Sequence, residues 1–162
     1  MALPISYSVP VSRLRRLEFM LGESAGLETL YPPEGQPVQF QAHVSARWES
    51  CERFFTLDFY ADIPNLGPET FHAMITYSED SNCYRMWSFE ASHEEPMYME
   101  GNFQGDQLVL VSDPTKMIWG FQRLRYTFTP HRDGSVEVLG ERWEPDGYAK
   151  HCSVVFRPTD PV

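Results

Sequence analysis

Two arginines fall on strand faces that side-chain alternation turns inward. In 83–89, Arg85 shares a face with Cys83, Trp87 and Phe89; in 136–142, Arg142 shares one with Val136, Val138 and Gly140. The same rule in 120–128 groups Tyr126 with Gly120, Gln122, Leu124 and Phe128. A guanidinium is very costly to bury unless it is paired and hydrogen-bonded, so something has to satisfy both. An internal carboxylate, backbone carbonyls or ordered water would do it. A bulge would instead reverse the face assignment, because one slipped residue inverts every side chain. The functional alternative is an inward cationic patch that meets the carboxylate or other anion of a mostly apolar ligand. Arg85, Arg142 and Tyr126, with Gln122 beside them, would then hold the head group, and Trp87, Phe89, Met99 and Phe128 would line the wall.

Other chemistry has weaker anchors. Glu141 and Glu144 flank Trp143, and Asp58 lies among Phe55, Leu57 and Phe59, but alternation groups Asp58 with Thr56 and Tyr60 on a wetted face. The five histidines, His43, His72, His93, His131 and His151, lie on different elements and share no metal-ligand spacing. His93-Glu94-Glu95-Pro96 lacks a second His four residues on and reads as a loop. His151 falls opposite Cys152 and Val154, on the outer face, so a haem held by one His is not expected. No Gly-x-Ser-x-Gly elbow and no Gly-x-x-x-x-Gly-Lys loop occurs. No catalytic residue, metal or cofactor is assigned. Met74, Met86, Met97 and Met99 suit an adaptable pocket or plain core filling.

These residues need elements to hold them. Val11, Leu14, Leu17 and Leu21 form a helical stripe that Gly22 ends, predicting one helix over about 10–21. From there the period is 2. Strands are predicted near 24–31, 38–49, 53–61, 70–78, 83–90, 96–103, 107–112, 117–129, 135–144 and 148–157, rich in aromatic and β-branched residues. Turn signals such as Asn65-Leu66-Gly67-Pro68, Gly105-Asp106, Asp133-Gly134 and Asp146-Gly147 separate many of them. Spacings this short demand antiparallel hairpins, and closing such a meander into a barrel removes its edges.

Composition narrows the partners. The 162 residues carry a formal charge of −10 and 14% aromatics, which excludes disorder and disfavours nucleic acid. No apolar run of about 18 residues exists to span a membrane. Met1 to Pro10 lacks the basic start and apolar stretch of a secretory signal. Cys51, Cys83 and Cys152 form no CxxC pair, so a cytoplasmic protein with buried thiols is expected.

Several segments resemble a bacterial family, the domain of unknown function 1579. Leu14-x-x-Leu17-x-Phe19-x-Leu21-Gly22 with Gly26 is similar to its opening. Ile75-Thr76-Tyr77-Ser78, Tyr84-Arg85-Met86-Trp87-Ser88-Phe89 and the run from Tyr98 through Gly101 and Gly105-Asp106 to Leu110 are similar to its middle. Asp146-Gly147-Tyr148-x-Lys150 is similar to its last hairpin. The likeness spans roughly 14–157. It implies a lipocalin-like barrel of the calycin kind with an N-terminal helix closing one end, and it transfers no catalytic residue. The family pattern Gly-x-Trp-x-Gly is here Gly22-Glu23-Ser24-Ala25-Gly26, so Ser24 opens space at the barrel end or the packing differs.

The expected fold is therefore all-β: one domain, a closed antiparallel barrel of nine or ten strands with one N-terminal helix capping an end. The leading functional expectation is a non-enzymatic binder of a small hydrophobic, carboxylate-bearing ligand. The alternatives are a filled barrel that acts as a structural module or homodimer, and an enzyme that uses pocket carboxylates. An enclosed cavity holding Arg85 and Arg142 would favour the first, and paired desolvated acids the last.

Overall fold

The computed structural model describes residues 11–49, 52–114, 116, 120 and 123–159. Ten antiparallel strands form a closed barrel: β1 (Gly22–Leu30), β2 (Val38–Glu49), β3 (Phe54–Ile63), β4 (Gly67–Ser78), β5 (Cys83–Glu90), β6 (Met97–Gln104), β7 (Gln107–Ser112), β8 (Leu124–Pro130), β9 (Val136–Glu144) and β10 (Gly147–Pro158). Each strand pairs with its neighbours in sequence, and β1 joins β10 to close the circle, so no edge is left for another chain to extend. Two turns have only two residues, Pro145-Asp146 and Gly105-Asp106; in the latter Gly105 takes a φ of 63° and Gln104 pairs with Gln107.

The predicted helix is shorter and tighter than its stripe suggests. It is one α-helical turn, α1 (Val11–Leu14), followed by a 3-10 segment over Arg15–Met20. Leu14, Leu17 and Met20 are buried, while Leu21 is 42% exposed. Three polar ties hold this cap to the barrel rim. Tyr84 donates to the Arg13 carbonyl at 2.5 Å, Arg16 donates to the Gly105 carbonyl at 2.8 Å, and Arg15 meets Glu52 at 3.1 Å. The Arg16 guanidinium also lies 3.8 Å from the Phe103 ring centre. The turns after β1, β3, β5, β7 and β9 lie at the opposite, uncapped end.

Inside, side chains pack as two clusters. The larger runs from Leu14 and Leu17 through Phe55, Ile75, Tyr84, Met99, Leu108, Leu110 and Leu124. The smaller joins Phe40, Ala42, Ala61, Val154 and Phe156. The inward faces expected for β8, β9 and β10 are observed: Leu124 and Phe128, Val136 and Gly140, and Cys152, Val154 and Phe156 are buried.

For β5 the expected face is reversed. Tyr84, Met86 and Ser88 are buried, and Ser88 and Glu90 face the interior cavity, whereas Phe89 is 50% exposed. Register explains the reversal. Met86 pairs with Ile75 on one side and Met99 on the other, both fully buried, which fixes the even-numbered residues of β5 inside. Trp87 pairs with Met74 and Tyr98 on the outer wall, its ring 5.5 Å from that of Tyr98. β8 is described from Leu124, and residues 117–119, 121 and 122 of the run predicted near 117–129 lie outside the described residues.

Candidate functional site

Between the two core clusters the barrel is not filled. A cavity of about 110 Å³ is lined from both by Met20, Val44, Leu57, Phe59, Phe71 and Phe128, among others. Its described polar lining is small: Ser24, Glu28, Ser88, Glu90, Tyr126 and Cys152. Met20 brings the cap to the cavity. Ser24 lines it as well.

Glu28 is the least expected of these groups. It is 9% exposed, and burial pushes its carboxyl up to about 7. The Cys152 thiol adjoins it and partly offsets that rise, and the Tyr126 hydroxyl adjoins the sulfur, so the three form a chain of groups. Desolvation raises both the thiol and the phenol well above their usual ranges, so neither ionises near neutrality. Gly140 makes this chain possible. A Cβ there would lie 2.6 Å from Cys152 Sγ and 2.8 Å from the Tyr126 ring. The ring therefore rests directly on the β9 backbone.

Glu90 enters from β5. Its carboxyl is also pushed up to about 7, first by burial and further by Glu69, against a hydrogen bond donated by Ser88 at 3.2 Å. Glu90 and Met97 also border a second cavity of about 230 Å³ at the uncapped end, lined by His93, Glu95, Pro96, Tyr98, Asp113 and Lys116. The two cavities therefore share a wall at Glu90 and Met97.

The residues expected to bind ligand are placed as follows. Tyr126 and Phe128 line the inner cavity. Met99 points inward but is fully buried in the cap-side core and is not among the cavity's lining residues. Gln122 lies outside the described residues. Arg85, Trp87 and Phe89 are on the outer wall because of the β5 register, and Arg85 donates to Ser81 at 2.5 Å.

Arg142 does point inward and is 6% exposed, yet the protein itself engages it. It donates to Glu144 at 2.7 Å, to the Tyr31 carbonyl at 2.6 Å and to the Lys150 carbonyl at 2.8 Å. Neither arginine reaches the cavity, so no cationic head-group site forms from them. The carboxylates singled out in the sequence are elsewhere too. Glu141 pairs with Arg125 at 2.7 Å, and Asp58 is bound by Arg47 and His72 on the outer wall.

Glu28 and Glu90 were not singled out by sequence reasoning. For Glu90 the signal was present but inverted, since the one-residue slip that put Arg85, Trp87 and Phe89 inside also put Glu90 outside. For Glu28 the apolar neighbour Leu27 pointed the wrong way: it is 56% exposed. What sets the face in β1 is Gly26, whose Cβ would come 2.5 Å from the Val155 carbonyl and 2.8 Å from Val154.

No family model matches the sequence, and no curated protein is significantly similar to it. Solved structures do match. The crystal structure of Rv2717c from M. tuberculosis superposes on 93% of this chain and 98% of its own with a TM-score of 0.68. Identity is 16%, so this likeness establishes the barrel fold and nothing about ligand or activity. Among the described residues no helix is long and apolar enough to cross a membrane.

Proposed function

We propose that the protein binds one small, mostly apolar molecule inside its barrel, as a carrier or sensor. The observation that carries this is the unfilled interior: a cavity whose wall is chiefly Val, Leu, Met and Phe with a few convergent polar groups. A barrel of this size permits either a filled interior or a single ligand. The carboxylate head group expected from the sequence is not retained, because Arg85 is outside and Arg142 is engaged. Kinship with the domain of unknown function 1579 family belongs to the same proposal and is supported by the capped barrel and the Gly105-Asp106 hairpin. A reducing compartment such as the cytoplasm is supported by the buried free thiols Cys83 and Cys152.

Native mass spectrometry after mild purification tests the reading. A co-purified small molecule, or a rise in melting temperature with single-ring apolar probes, is expected. Ser24→Trp should plug the cavity and abolish both while the far-ultraviolet circular dichroism stays barrel-like. No adduct and no shift with any probe overturns the reading.

One observation favours acid–base catalysis as a second reading: two carboxyls poised near 7 in one cavity. It requires that the bound molecule be converted over time by the wild type and not by Glu28→Gln. A molecule returned unchanged removes it.

A further inference from the structure

The cavity holds acid but no base. Among its described lining residues there is no Lys, Arg or His, whereas Glu28 and Glu90 both reach it. Among the described residues each acid has a neutral neighbour, the Cys152 thiol for Glu28 and the Ser88 hydroxyl for Glu90. The nearby cations are taken. Arg142 is held by Glu144 and two carbonyls, and Lys116 in the second cavity lies 3.9 Å from Glu95. A buried carboxylate is tolerated when a cation or several donors meet it, and otherwise stays protonated. A ligand carboxylate would add a like charge to this wall and is disfavoured.

We infer that the cavity's ligand is a small amine, its ammonium group set against Glu28 and Glu90 and its aryl or short alkyl body against Val44, Phe59, Phe71 and Phe128. This deepens the carrier reading and rests on it. Cavity size limits the body to about one ring, since an engineered void of about 150 Å³ holds benzene. The protein's charge of −10 raises the local concentration of cations around the barrel, and Glu90 borders both cavities.

Protons balance as follows. An ammonium that arrives from solvent keeps its proton, and a carboxyl that was protonated in the empty cavity releases one to solvent. Affinity for an amine should therefore rise with pH through the range in which Glu28 and Glu90 ionise, about 7. The groups facing them are Cys152 and Tyr126 for Glu28. For Glu90 they are Ser88, Glu69 and Tyr126, with His93, Glu95, Tyr98, Asp113 and Lys116 around the second cavity.

Titration calorimetry on the full chain with benzylamine, benzyl alcohol and benzoate tests this. Benzylamine should bind at least about ten-fold tighter than the alcohol at pH 8, lose about ten-fold or more between pH 8 and 6, and release a proton that two buffers of different ionisation enthalpy reveal. Benzoate should not bind. Glu28→Gln and Glu90→Gln should each erase the preference for amine over alcohol; if one variant fails to fold, the other and the wild-type proton release still decide. Alcohol binding as tightly as amine, or amine affinity flat with pH, overturns the inference and leaves the carrier reading standing. Failure of all three probes together with toluene overturns both.

Discussion

Arg142 and Glu28 are two ionisable side chains of nearly equal burial, 6% and 9% exposed, that the barrel treats in opposite ways. Arg142 sits on β9 near the uncapped end and has a counter-ion and two carbonyls at 2.6–2.8 Å. Glu28 sits on β1 against an unfilled space, and its partner is a thiol that does not ionise. Burial of a charged residue alone therefore does not mark a binding site. What separates the two is whether the protein completes the electrostatics itself. Arg142 closes a corner of the structure, whereas Glu28 is left for something else to complete.

The largest expected effect probes the completed side. Arg142→Met should destabilise the protein by about 2–5 kcal/mol in urea unfolding, because the Tyr31 and Lys150 carbonyls lose their donor. A neutral or stabilising result would break the comparison and return Arg142 to the ligand.

Glu28→Gln should act in the other direction, and only above the acid range. The folded carboxyl titrates near 7 against a usual value of 4.5, so the native state holds the proton more tightly than the unfolded chain does. The wild type then loses stability as pH rises from about 4.5 to 7, and the Gln variant does not. At pH 8 the variant should be more stable by about 2–3 kcal/mol, and near pH 4.5 the two should coincide. Glu90→Gln should follow the same sign. His151 has the opposite linkage. Burial lowers it to about 4, so it weakens the fold as pH falls from about 6.5 to 4, and each variant is compared with wild type at the same pH.

Gly140→Ala is the smallest and sharpens the geometry. Overpacking against Tyr126 and Cys152 should cost about 1–2 kcal/mol and change the near-ultraviolet circular dichroism of Tyr126 without altering the strand content.

The barrel was legible in the sequence because short alternating runs and turn residues leave few topologies open. The last three strands also showed their faces, since Tyr126 and Phe128 flank Thr127, Val136 and Val138 flank Glu137, and Cys152 and Val154 flank Ser153. β5 did not, because it is apolar on both sides. Trp87 and Phe89 outside rival Tyr84 and Met86 inside, and only pairing with Ile75 and Met99 decides. β1 misled for a physical reason. It exposes Leu27 and buries Glu28, the reverse of what hydrophobicity dictates. Such a local conflict between sequence rule and fold is expected where a site sits. The helix was legible as a stripe but not as a 3-10 segment, and the rim contacts of Arg15 and Arg16 lie on distant strands and turns that its own spacing does not reveal.

The seam between β1 and β10 bears on how the chain reaches this state. Ser24 pairs with Pro158, a separation of 158 − 24 = 134 residues, so this is among the longest loops to close, and its contacts come at the greatest entropic cost. Until the seam zips, β1 is an open edge and Glu28 is hydrated. Closure and loss of that hydration are the same event. Between about pH 4.5 and 7, joining the first and last strands is therefore coupled to proton uptake at Glu28.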